Sequence, residues 1–197
     1  MRGKLKTSRV SEIPGRRRFL GLSVAALALP LAGRLSALTP SGPDSEPLPS
    51  DRDLAFYNTH TAESAAVEYC RSGCLVPEAL KKINYVLRDT RTGDIKDIDV
   101  SLLDLLSRLA RTLGTDEPFH VISGYRSPRT NEYLRLHGGG GVAAHSLHLV
   151  GKAIDVRVPG VKLRTLYKKA ISLRGGGVGI YPESDFVHVD VGRVRTW

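Results

Sequence analysis

Cysteine is nearly absent from this chain: its 197 residues contain two, Cys70 and Cys74. Two thiols cannot complete a thiolate metal site by themselves, and no Cys-x-x-Cys pair is present, so that redox pattern is missing. No apolar run reaches the ~20 residues of a membrane span; the stretch from Phe19 to Gly33 falls short of it. A glycine run at 138–141 lacks the Gly-Lys-Ser/Thr that would make it a phosphate cradle. There is no internal repeat. Surplus charge is missing from most of the chain. The net charge is +9, but residues 1–37 hold eight Lys/Arg against one acid, which leaves 21 bases and 19 acids for the remainder. A nearly neutral body lacks the electrostatic footprint of a nucleic-acid-binding protein.

The basic head has its own pattern. "GRRRFLGLSVAALALPLAG" (15–33) is an arginine cluster, then an apolar stretch, then small residues, which is the layout of an export signal. Arg16-Arg17 before Phe19-Leu20 resembles the twin-arginine signal, which implies the twin-arginine export machinery as a partner, a periplasmic destination and membrane contact only during export. A short membrane anchor is the alternative. The signal is placed at 1–37. The Pro-, Ser- and acid-rich segment that follows reads as a linker, 38–52, and the folded domain as 53–197. In an exported protein, Cys70 and Cys74 flanking "RSG" suit a disulfide across a hairpin turn; two free thiols are the other possibility.

Strands are expected at 53–61, 63–69, 119–124, 153–158, 176–182 and 185–192. Helices are expected at 77–89, 99–114, 127–136 and 161–173. Pro77 and Pro128 stand at helix starts, Ser127 is a cap, and Gly114 is a stop. The 99–114 segment carries the clearest stripe, Leu102, Leu105, Leu106, Leu109 and Leu113. Helices come first and strands dominate later, which predicts an α+β fold with an antiparallel sheet and flanking helices.

Alternation in two of these strands points to a site. In 153–158, Ile154, Val156 and Val158 face one way and Asp155 the other. In 185–192, Val187, Val189 and Val191 share a face opposite His188 and Asp190. If the two strands pair, Asp155 and His188 enter one cleft, and His148 lies in the loop just ahead. Two imidazoles and a carboxylate suit Zn²⁺, with a fourth position open for water. A loop histidine beside a solvated aspartate is the plainer alternative.

Ser146-x-His148-x-x-Gly151-x-Ala153-x-Asp155 resembles the signature of the zinc D-Ala-D-Ala carboxypeptidase family, whose fold is shared with lysostaphin-type peptidases and the Hedgehog signalling domain. "SGYRSPRTN" (123–131) resembles that family's arginine block, and "FVHVDVGRVRTW" (186–197) resembles the ending of its YcbK-like branch of exported murein endopeptidases. The likeness runs from about residue 53 to Trp197. It implies one zinc ion on His148, Asp155 and His188, and peptidoglycan stem peptides as substrate. Arg126 is then expected at the substrate, with Ser123 and Tyr125 beside it; a salt bridge holding the "GYRSP" turn is the structural alternative for Arg126. Ser146 is expected either to orient a ligand or to cap a turn, and Gly151 to allow a tight turn. Relatives in this superfamily place a glutamate three residues before the last histidine as general base; here Asp185 stands there, and Asp190 is the second candidate. His145 is expected at the rim, His137 in solvent, and His60 and His120 in structural positions. A zinc-stabilised module that binds murein or protein without cutting is the rival reading.

Overall fold

The computed structural model describes residues 47–138 and 141–197. The expected export signal, 1–37, and most of the expected linker, 38–52, lie outside the described residues. The strands are β1 (Arg52–Asn58), β2 (Ser64–Arg71), β3 (Cys74–Leu75), β4 (Phe119–Ser123), β5 (Ala153–Arg157), β6 (Gly177–Tyr181), β7 (Phe186–Asp190) and β8 (Arg195–Thr196). The helices are α1 (Pro77–Val86), α2 (Val100–Leu113), α3 (Pro128–His137) and α4 (Leu163–Ser172). All four expected helices and six expected strands are present, each within a few residues. No helix among the described residues is long and apolar enough to cross a membrane.

The strands form one sheet in the order β3-β2-β1-β4-β5-β7-β6-β8. It is mixed, not antiparallel as expected: β1 runs parallel to β4, and β6 parallel to β8. The first departure follows from connectivity. The chain leaves β1 and returns at β4 only after α1 and α2, and a long helical crossover is what parallel pairing requires. The second involves β8, which is two residues long and carries no alternation to read.

α1, α2 and α4 pack against the sheet. The leucine stripe of α2 supplies Leu102, Leu103, Leu106 and Leu109 to the core, where they meet Phe56, Val121, Ile154, Val156 and Val187. Asp99 caps α2 by accepting from the Ser101 amide, and Gly114 ends it in the left-handed conformation. β5 is central and buried on both faces up to Arg157. Its apolar residues therefore fix which way Asp155 points.

Cys70 and Cys74 are not bridged. The β2–β3 register sets Arg71 opposite Cys74 and Cys70 opposite Leu75. Neighbouring positions on a ladder face opposite ways, so Cys70 turns into the core while Cys74 is exposed. The expected cross-turn disulfide is corrected to two free thiols.

Candidate metal centre and its cleft

β5 and β7 pair antiparallel with Asp155 directly opposite His188, the adjacency the alternation required. His148 arrives from a 3₁₀ turn at Leu147–Val150. Ser146 caps this turn, its Oγ accepting from the His148 amide at 3.4 Å. It holds the backbone of His148 rather than the ring. The turn ends at Gly151, with φ +67°. A Cβ there would stand 2.4 Å from the Asp97 carbonyl oxygen, so both conformation and space demand glycine.

Three donor atoms converge. Asp155 Oδ1 lies 3.2 Å from His148 Nε2 and 2.8 Å from His188 Nδ1, and the two ring nitrogens are 3.2 Å apart. All three residues are buried. The outer ring nitrogens are pinned. His148 Nδ1 is 2.6 Å from the Gly124 carbonyl oxygen, which can only accept, so this nitrogen carries the proton. His188 Nε2 donates to Asp190 Oδ2 at 3.1 Å. In neutral rings both inner nitrogens are then lone pairs aimed at the same point as a carboxylate oxygen. Such a cluster offers three converging donor atoms to a cation at its centre. The donor set fits zinc: about 2.0–2.1 Å bonds in a tetrahedron give donor separations of about 3.3 Å. Tying the far nitrogens to a carbonyl and a carboxylate is how metal-binding histidines are oriented.

The charges at the site pull the three groups in different directions. Burial would raise the Asp155 carboxyl, but His148, His188 and Arg126 together hold it far below the usual carboxylate range. Burial pulls the His148 imidazole down. It pulls on His188 as well, but the hydrogen bonds to Asp155 and Asp190 outweigh it and raise that ring.

Asp190 is fully buried and every contact it makes is structural. Besides His188 it accepts from the Gly177 and Gly192 amides, at 3.0 and 2.8 Å, and a two-pronged Arg195 grips it at 2.7 and 3.2 Å. These bonds outweigh its burial and keep it ionised. Asp185 is elsewhere. It follows the Pro182–Ser184 turn in the left-handed conformation, with its side chain 63% exposed and 3.3 Å from Arg157 Nη1. It touches none of the three donors. Arg157, two residues beyond Asp155 on β5, shares its sheet face, so the Arg157–Asp185 pair stands one step further along the same side of the sheet.

Arg126 lines the same cleft, a cavity of about 730 Å³. Its Nη2 bonds Asp155 Oδ2, and its Nε donates to Ser123 Oγ at 2.8 Å. Ser123 therefore holds Arg126, and Tyr125 forms part of the wall. The salt bridge expected as the alternative for Arg126 exists, but to Asp155 of the candidate metal site rather than within its own turn. The block is held from below by Asp89, a residue the sequence reading passed over. Asp89 accepts from the Ser127 amide at 2.7 Å and from the Arg91 and Thr92 amides, which couples the loop after α1 to the cap of α3. Gly124 makes this approach possible, since a Cβ there would meet the Leu87 carbonyl oxygen at 2.4 Å.

His145 sits exposed at the cleft rim as expected. His60, expected to be structural, also lines the cleft while bonding the Ile122 carbonyl at 3.0 Å. His120 packs on Tyr57, and exposed His137 stacks on Tyr133.

The family model described as peptidoglycan L,D-endopeptidase MepK matches residues 46–197. The chain belongs to this peptidase family. Among its curated relatives, the peptidoglycan L,D-endopeptidase MepK of Escherichia coli (strain K12) is 45% identical over 149 residues, 76% of this chain and 81% of that protein. The "Probable peptidoglycan L,D-endopeptidase MepK" of Haemophilus influenzae is 43% identical over 150 residues, 76% of this chain and 80% of that one. The family match covers both strands and the turn that bring His148, Asp155 and His188 together.

Proposed function

We propose that this chain is a zinc-dependent murein endopeptidase that hydrolyses L,D peptide bonds in peptidoglycan cross-links, such as those between two diaminopimelate residues, after export to the periplasm by the twin-arginine route. The observation that carries the reading is the convergence of two inner imidazole nitrogens and Asp155 Oδ1 at the floor of an open cleft, with both outer ring nitrogens held by Gly124 and Asp190. Relatives that bear the peptidoglycan endopeptidase name support the substrate class.

Zinc at such a site supplies Lewis-acid polarisation of the scissile carbonyl and a water nucleophile at neutral pH. The chain supplies the rest. Gly124 and Asp190 fix the two imidazoles, and Arg195 keeps Asp190 ionised. Arg126 has N–H groups beyond those engaged by Ser123 and Asp155, and these stabilise negative charge developing on the carbonyl oxygen. The carboxylate assigned to take the proton of the attacking water is Asp185, which stands between the cleft-lining residues Ser184 and Phe186 but outside the lining itself. Asp190 is committed to His188, whereas Asp185 has only a solvent-exposed arginine partner on the cleft side of the sheet.

The test is digestion of purified murein with zinc-loaded protein, with the new termini located by mass spectrometry. The reading expects cleavage at cross-links and none with His148→Ala. Intact cross-links in the presence of stoichiometric zinc would favour the non-catalytic binding module. Replacing Arg16 and Arg17 together with Lys is expected to leave the protein in the cytoplasm; normal delivery would remove the twin-arginine assignment.

A further inference from the structure

Beyond the metal cluster, one side of the cleft is aromatic, and nothing in the proposed chemistry uses it. Trp197 is the sole tryptophan of the chain. Its ring lies 5.3 Å from that of His188, centroid to centroid. Its indole N–H is engaged, donating to Tyr181 Oη at 2.8 Å. Tyr181 in turn stacks on Phe186 at 4.6 Å with an interplanar angle of 19°. Trp197, Tyr181 and Phe186 all line the cleft that holds the metal cluster.

The placement is built, not incidental. The Trp197 amide donates to the Val178 carbonyl, and the Ile180 amide donates to the Trp197 carbonyl, so the residue is clamped to β6 on both sides. Its ring lies across Gly179, the residue paired with His188 in the β6–β7 ladder. A Cβ on Gly179 would stand 2.5 Å from the indole, so only glycine lets the ring lie down there. The Arg195 guanidinium, which also grips Asp190, is 4.9 Å from the ring centroid. Strand, clamp and cation all hold one large apolar face beside the metal, yet Trp197 remains 46% exposed. A half-open indole whose only hydrogen-bond donor is engaged offers nothing polar; its open face takes methylene groups.

We infer that Trp197, backed by Tyr181 and Phe186, is the substrate-contacting wall that packs on the aliphatic arm of the diamino acid at the cleaved bond. This rests on the endopeptidase reading, and it names the part of the substrate this wall selects. The polar groups of Arg126 and the metal cluster take the amide, and the wall takes the unbranched methylene chain beside it. Trp197 thereby sets the preference for a cross-linking diamino acid over a short side chain.

Because Trp197 is the sole tryptophan, its emission reports on the wall alone. Zinc-loaded protein is mixed with a purified cross-linked muropeptide dimer, and emission and product are followed together, the emission read before turnover. The inference expects a change in tryptophan emission that saturates over the same concentrations as turnover. Turnover with unchanged emission overturns the wall. An emission change without turnover keeps the wall and overturns the endopeptidase reading; neither signal overturns both. Trp197→Ala is expected to keep stoichiometric zinc and raise KM about tenfold or more, with kcat changed much less. Trp197→Phe, which keeps an aromatic face, is expected to recover most of that loss. If Trp197→Ala loses zinc in step with activity, the ring merely supports His188 and the inference fails. An unchanged KM sinks it as well.

Discussion

Asp185 and Asp190 lie five residues apart on either side of His188, and the structure gives them opposite surroundings. Asp190 has both oxygens occupied and touches the outer nitrogen of His188. Asp190→Asn is therefore expected to weaken zinc by roughly 10–100-fold, the usual effect of disturbing a ligand's hydrogen-bond partner, as read by competition with a chelator. Asp185→Asn is expected to bind zinc normally and to lose roughly 10²–10⁴ in turnover, the range for a missing general base. Full activity in Asp185→Asn would remove it from that role. Arg126→Ala separates substrate from metal in the same way. Its positive charge lies beside Asp155 and so does not assist cation binding. The variant should keep its zinc while turnover falls by roughly 10²–10³, the cost of one oxyanion donor. A zinc-free Arg126→Ala protein would make the Asp155 contact its main function.

At the scale of elements, the junctions hold the site more than the strands do. Asp89 joins the loop after α1 to the start of α3, and its carboxyl is lowered: burial opposes ionisation, but the hydrogen bonds from Thr130, Ser127 and Arg91 outweigh it. A carboxylate whose folded pKa is depressed stabilises the fold above its unfolded value, about 3.9, and the benefit fades as pH falls towards the folded value. Asp89→Asn should therefore be less stable than the parent in urea unfolding at pH 7, with the gap closing below about pH 4. A gap of constant size would show that the charge of Asp89 does not matter. Gly151→Ala places a side chain at positive φ and against the Asp97 carbonyl. A loss of more than about 1 kcal/mol is expected, with weakened zinc binding because the turn carries His148. The β2–β3 ribbon gives a simpler check. One thiol, Cys74, should alkylate rapidly in the native protein, and Cys70 only after unfolding. A native protein with no reactive thiol and a mass two hydrogens short would contradict the separated cysteines.

For the molecule as a whole, what the sequence disclosed follows its periodicities. The stripe of α2 and the alternations of β5 and β7 were readable because each buries one face. That alone placed Asp155 and His188 on a shared surface once the strands paired. The parallel pairing of β1 with β4 was not readable, because a strand's own residues say little about its neighbour across a crossover. β8 was too short to register. The cysteine bridge failed because close spacing in sequence does not reveal which face each residue takes. Asp89, the Gly124 carbonyl and Trp197 were missed because their roles arise from backbone approaches between distant segments.

The central claim is that one zinc ion on His148, Asp155 and His188 makes this chain a murein endopeptidase. The most direct measurement is zinc per chain and cross-link cleavage, read on the same samples along a chelator titration and after zinc is returned. The account expects activity to fall in proportion to the loss of a single zinc and to recover with it. Full cleavage by protein stripped of metal would contradict it.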